Sequence, residues 1–304
     1  MSRCIVSCPG SLMLFGEHAI LQGKHSLSAA IDKRLTVACK KRTDDAVILT
    51  SSLGSYSSTL STLIPQAPFT FVIQALLDQQ IKHGIELEIT SEMSPLFGLG
   101  TSAAVTSATT AALLLMSQGH FDQLDLFHRS CKTVRTVQGR GSGADVAASI
   151  FGGIVLYRMD PFVIETLDQL FDITLVYSGS KMPTAQVIQK VLERQKKRPQ
   201  LFQSFFEHID SIVLEAKQAI VTKDSSSLGE LCTLQQGIMD AMGLSTKELS
   251  EIVYQLRELP EIFGSKISGS GLGDCAIGFG ASSKLVTSYP VLSVQMSKQG
   301  VHIE

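Results

Sequence analysis

The chain has 304 residues, enough for one large or two closely joined domains around a sizeable core. It is 44% hydrophobic and 18% charged, which excludes a disordered chain, and a net charge of −2 gives no footprint for nucleic acid or an anionic membrane. No basic n-region with a cleavable apolar core opens it and no apolar run approaches membrane-spanning length, so a cytoplasmic protein is expected.

In chain order, short strands are predicted at 4–8, 12–15, 35–40, 46–50 and 86–89, punctuated by polar clusters such as Lys41-Arg42-Thr43-Asp44-Asp45. Phe71, Ile73, Leu76 and Leu77 fall near one helical face and predict a helix over 69–83. Helices follow at 102–116 and 124–137, a third starts at Ala144, and a strand returns at 152–158. After Asp160-Pro161 the composition changes. A strand at 173–177 precedes amphipathic helices at 184–196, 201–222, 227–242 and 246–259, then strands at 275–279 and 291–295. The expected division is 1–160 and 161–304, with the junction in 158–172. Lys196-Lys197-Arg198-Pro199 reads as a basic helix end stopped by proline.

The run Pro95-Leu96-Phe97-Gly98-Leu99-Gly100-Thr101-Ser102-Ala103-Ala104 carries the most chemistry. Two glycines let the backbone bend around an anion, and the following small-residue helix offers free N–H groups and a positive dipole end. A glycine turn before an alanine-rich core helix gives a similar string, so both readings stand on this segment alone. The lysine of a Walker A loop is absent. Gly139-Arg140-Gly141-Ser142-Gly143-Ala144-Asp145 sets a carboxylate beside a second small-residue helix, as a base or as a helix cap. Glu17-His18, in an otherwise apolar stretch, are substrate contacts or the solvated end of a hairpin. The six cysteines, Cys4, Cys8, Cys39, Cys131, Cys232 and Cys275, lack paired metal-ligand spacing and are expected as free thiols. The remaining histidines, His25, His83, His120, His128, His208 and His302, show no ligand spacing either.

Three segments in order, Pro9-Gly10 through Gly16-Glu17-His18-Ala19, Gly98 through Ala104, and Lys266-Ile267-Ser268-Gly269-Ser270-Gly271-Leu272-Gly273-Asp274-Cys275, resemble the three motifs of the GHMP small-molecule kinases across nearly the whole chain. The resemblance implies an α+β fold with an N-terminal ribosomal-protein-S5-like α/β domain and a C-terminal ferredoxin-like α/β domain, the active site lying between them. It implies a phosphotransferase using ATP and Mg²⁺, with Asp145 as the catalytic base. Gly98, Leu99, Gly100, Thr101, Ser102 and Ala103 would bind ATP, and the Ser102 hydroxyl would meet Mg²⁺. Glu17, His18 and Arg140 would bind substrate, and Gly269, Ser270, Gly271 and Gly273 would shape the site. The first segment looks most like the mevalonate kinases of the isoprenoid pathway, whereas the Asp145 and Asp274 loops look closer to the phosphomevalonate kinases. The expected partner is therefore mevalonate, with 5-phosphomevalonate as the alternative, and a homodimer is compatible; neither nucleic acid nor membrane is expected.

Two positions depart from the mevalonate kinase pattern. Ser11 stands where a lysine is usual, and Val134 stands where a metal-binding glutamate is usual. Lys24, Lys33 and Arg140 are the candidates for the missing cation. The departures also suit a relative that has given up catalysis to serve as a ligand sensor; the retained Asp145 argues for an enzyme.

Overall fold

The computed structural model describes residues 2–94 and 96–304; Met1 and Pro95, the residue that opens the glycine run, lie outside the described residues. The predicted strands 4–8 and 12–15 are one strand, β1 (Arg3–Phe15), because Pro9-Gly10 is absorbed as a bulge. β1 pairs antiparallel with β2 (Ser26–Lys41), and its register shifts between Pro9 and Ser11 and again between Met13 and Phe15. Gly10 is needed at the bulge, since a Cβ there would stand 2.6 Å from the Leu99 carbonyl oxygen.

β2 serves two neighbours along its length. Its first residues, Ser26 to Ala29, pair with β6 (Ile154–Arg158), and Leu35 to Lys41 pair with β5 (Ile85–Ser91). β3 (Ala46–Ser51) runs parallel to β5 and forms a hairpin with β4 (Gly54–Thr59); β7 (Val163–Leu167) adds to β6. The chain's last strand, β12 (His302–Ile303), returns to β1 and completes an eight-stranded sheet. β4, β7 and β12 are not predicted from sequence. β4 reads Gly-Ser-Tyr-Ser-Ser-Thr, which carries no hydrophobic alternation, and pairing with β3 supplies what propensity does not.

Helices α1 (Thr70–Asp78), α2 (Thr101–Gln118), α3 (Gln123–Gln138) and α4 (Ala144–Phe151) pack with this sheet. α2 is central, touching β1 and β2 on one side and the other three helices around it. Its small residues permit that close approach, and Ala103, Ala104, Ala108, Ala111 and Ala112 are all buried. α3 opens on Asp122, whose carboxylate accepts the Leu124 and Asp125 N–H groups.

The second sheet is antiparallel, in the order β11 (Val291–Leu292), β8 (Ile173–Tyr177), β10 (Cys275–Phe279), β9 (Gly264–Ser268). Helices α5 (Thr184–Lys197), α6 (Pro199–Thr222), α7 (Ser225–Ala241) and α8 (Lys247–Arg257) accompany it, with α7 on β9 and α8 on β9 and β10. Pro199 stops α5 and opens α6, where its missing N–H costs nothing. The sheets change over between Leu167 and Ile173, and residues after Val294 run back along the first sheet through Ser297 N–H to Ala30 and Asp32 N–H to Gln295. The α+β architecture with two packed sheets agrees with the sequence expectation. Among the described residues no helix is long and apolar enough to cross a membrane.

Candidate active site

A cavity of about 700 Å³ opens where the two sheets meet, and all three glycine-bearing segments border it. Gly98 and Gly100 both adopt left-handed backbone, with φ +66° and +68°, which turns the chain sharply into the first turn of α2. Gly100 caps α2 and no side chain closes its first N–H groups, so they remain available to an anion. Gly98, Leu99, Gly100, Thr101, Ser102 and Ala103 all line the cavity.

The first segment braces this loop. The Ser11 N–H donates to the Leu99 carbonyl at 3.0 Å, and the Ser11 hydroxyl donates to Asp145 Oδ1 at 2.9 Å. A Cβ on Gly100 would fall 2.0 Å from Ser11 Oγ. We expect Gly100→Ala to push Ser11 off Asp145 as well as to strain the left-handed turn, and a displacement of about 1 Å at such a site costs on the order of 10²-fold in rate. Steady-state kinetics that match the unaltered protein would contradict this.

Asp145 lies in the first turn of α4, whose cap is Gly143. Its carboxylate takes the Ser11 hydrogen bond rather than closing the helix, so the cap reading does not describe it. Asp145 is exposed where it borders the cavity. Desolvation raises its pKa above the ordinary carboxylate range, and the Ser11 hydrogen bond opposes that shift.

Glu17 and His18 sit on the cavity wall, and both are engaged internally. Glu17 is 2% exposed; Lys266 donates to one of its carboxylate oxygens and Gln235 on α7 to the other. Burial raises the Glu17 pKa, and the Lys266 charge opposes the shift. His18 Nε2 lies 2.8 Å from the Ser270 carbonyl oxygen, which can only accept, so Nε2 carries the proton. Burial lowers the His18 pKa, and the neutral ring is left with Nδ1 as an acceptor.

The third segment packs on the other two. Ser268 Oγ donates to the Met13 carbonyl at 2.9 Å, and Cys275 Sγ lies 3.5 Å from the Phe97 carbonyl oxygen. Gly269 and Ser270 border the cavity, whereas Gly271 and Gly273 turn away from it and lie against Leu244 and Ser180. Arg140 borders the cavity on the loop before α4; Lys24 and Lys33 are outside its lining. Val134 lines it with an apolar side chain.

Three residues here were not singled out from sequence as site residues: Lys181, Lys266 and Gln235. Lys266 belongs to a quoted motif, yet nothing local marks it as fully buried. Lys181 and Gln235 stand in segments whose pattern is ordinary loop and ordinary amphipathic helix.

The GHMP kinases N terminal domain family model matches residues 69–153, and the GHMP kinases C terminal model matches residues 216–286. A galactokinase galactose-binding signature matches residues 1–41. A mevalonate kinase of Archaeoglobus fulgidus is 32% identical over 303 residues, covering 99% of each chain. One of Pyrococcus furiosus is 30% identical over 331 residues, covering 99% of this chain and 98% of its own. Among solved structures, a Lin0012 protein from Listeria innocua superposes with a TM-score of 0.88 at 21% identity, covering 99% of both chains.

Proposed function

The chain belongs to the GHMP kinase family, and from that premise we propose that it transfers the terminal phosphoryl group of ATP to the primary hydroxyl of mevalonate. The observation that carries this reading is the opening of the Asp145 carboxylate and the Gly98–Ser102 loop onto one cavity. Relatives related end to end, themselves mevalonate kinases, support the choice of acceptor.

ATP lies with its phosphates on the loop and the first N–H groups of α2. The acceptor hydroxyl lies between His18 and Asp145, with its O–H directed at the Asp145 carboxylate. As the hydroxyl oxygen bonds to the γ-phosphorus, its proton passes to Asp145. The bond from phosphorus to the bridging oxygen breaks, and its electron pair leaves on ADP. A raised pKa makes the ionised Asp145 a stronger proton acceptor than an ordinary aspartate. The lobes on the two sheets bring these groups to one cavity.

The oxygens bordering the cavity are hard donors, and Mg²⁺ needs only one or two of them beside phosphate and water. We assign Ser102 to that ion, which when bound neutralises charge on the phosphate oxygens.

Ser11 tunes the base. Its hydrogen bond favours the ionised carboxylate, so Ser11→Ala raises the Asp145 pKa further. Since the base works deprotonated, the acid limb of the kcat/KM profile shifts to higher pH, and rates well above that limb change little. A limb that stays in place or moves to lower pH would remove Ser11 from this role.

An ADP-release assay with Mg-ATP and mevalonate, 5-phosphomevalonate, galactose or homoserine tests the acceptor. Turnover of mevalonate is expected. Turnover of 5-phosphomevalonate or galactose instead would reassign it, and ATP binding without turnover of any acceptor would favour a sensor.

A further inference from the structure

We propose that Lys181, held in place by Asp274, is the cation that binds the terminal phosphoryl group of the nucleotide. This rests on reading Gly98–Ser102 as the phosphate loop and is independent of which alcohol is the acceptor.

Charge sets the requirement. A nucleoside triphosphate brings roughly four negative charges into a cavity that already holds the Asp145 and Asp274 carboxyls. Among the described residues that line it, the basic side chains are Arg140 and Lys181. Lys266 is fully buried outside that lining, and its ammonium is committed to Glu17 and the Ile267 carbonyl.

Position separates the two candidates. Arg140 stands on the loop that leads into α4, on the Asp145 side of the cavity. Lys181 stands between β8 and α5, with its Nζ 3.5 Å from Asp274 Oδ1. That carboxyl packs directly on the phosphate loop, for a Cβ on Gly98 would be 2.9 Å from it. The ammonium is therefore one carboxyl group away from the first glycine of the loop.

The backbone fixes this arrangement independently of the ion pair. The Asp274 N–H donates to the Ser180 carbonyl at 2.8 Å, and the Ser178 N–H donates to the Asp274 carbonyl at 2.9 Å. Two bonds thus tie the segment carrying Lys181 to the third glycine segment. Asp274 makes them at φ +61°, a backbone conformation uncommon outside glycine, and Gly273 leaves room that a Cβ would close at 2.8 Å from the Ser180 oxygen.

The two side chains divide the work. Asp274 is 7% exposed, and its burial raises the carboxyl pKa while the Lys181 charge opposes the shift. The Lys181 side chain is 35% exposed and faces the cavity with an ammonium that has three N–H donors, so it can hold the carboxylate and a phosphate oxygen together. Asp274 is a positioning residue acting through Lys181.

Equilibrium binding of ATP and of ADP, measured without acceptor, tests the proposal. Lys181→Met keeps the aliphatic stem of a partly exposed side chain, so the fold is retained, and a thermal melt checks this. ATP affinity is expected to fall at least about tenfold, with ADP affinity changed less than about twofold, because only ATP presents the terminal group. The kcat falls about 10²-fold, and Lys181→Arg recovers part of both losses. Asp274→Asn moves ATP affinity in the same direction by a smaller factor and leaves ADP alone; if that variant does not fold, Lys181→Met decides. Equal loss of ATP and ADP, unchanged ATP affinity, or a change confined to the acceptor KM would overturn the proposal. Because nucleotide binding is read without an acceptor, a wrong acceptor assignment leaves this result intact.

Discussion

Asp145→Asn is expected to lower kcat by about 10²–10⁴-fold while nucleotide affinity and folding are kept. The substitution preserves shape. An asparagine oxygen still accepts the Ser11 hydroxyl that now donates to Asp145 Oδ1 at 2.9 Å, and the cap of α4 is Gly143, so helix closure does not depend on the carboxylate. What is lost is a group that can receive the acceptor's proton. Rapid-quench measurement of the transfer step, beside ATP titration, separates the two effects. An undiminished rate would remove Asp145 from the chemistry, and a parallel loss of ATP binding would make it a structural residue.

The largest stability effect is expected from Lys266→Met. Lys266 is fully buried, donates to Glu17 and to the Ile267 carbonyl, and lies 5.8 Å from the Phe15 ring centroid. Removing one partner of a buried pair leaves the other uncompensated, at a cost of about 3–5 kcal/mol. The sign of its pH dependence follows from Glu17. Without the lysine, burial raises the folded-state Glu17 pKa with less to oppose it, and a raised carboxyl contributes stability at low pH that disappears as pH rises through the folded value. The variant's deficit against the parent is therefore largest at neutral pH and shrinks toward pH 4.5, the ordinary value for glutamate. Urea midpoints across that range measure it, and the double replacement Glu17→Gln with Lys266→Met should recover most of the loss. A single variant as stable as the parent, or a double variant no better than the single, would show that the buried pair does not set the stability here.

How legible the site was depended on distance along the chain. The Gly98–Ser102 loop and Asp145 are local patterns: each needs only a glycine turn running into a small-residue helix, and the structure brings both to one cavity. The helix predicted at 184–196 is α5 (Thr184–Lys197), since amphipathic spacing is written within the helix itself. β4 and β12 were not legible, because each is held by a partner strand rather than by its own propensity.

Glu17 shows the same divide at a single residue. Its motif marked it for a substrate, and the fold gives its carboxylate to Lys266, 249 residues further on, and to Gln235 on α7. Lys181 is the converse case, ordinary in its own segment until two backbone bonds between that segment and Asp274 set it beside the carboxyl that packs on Gly98.

By itself, then, the sequence determined the family and the α+β class, through three motifs in order along the chain, and it marked a candidate anion-binding turn and a candidate base, because those two are local patterns of neighbouring residues. Only the tertiary structure decided which charges are neutralised internally and which face the cavity. Pairing depends on distance through space and on burial, and neither is fixed by spacing along the chain.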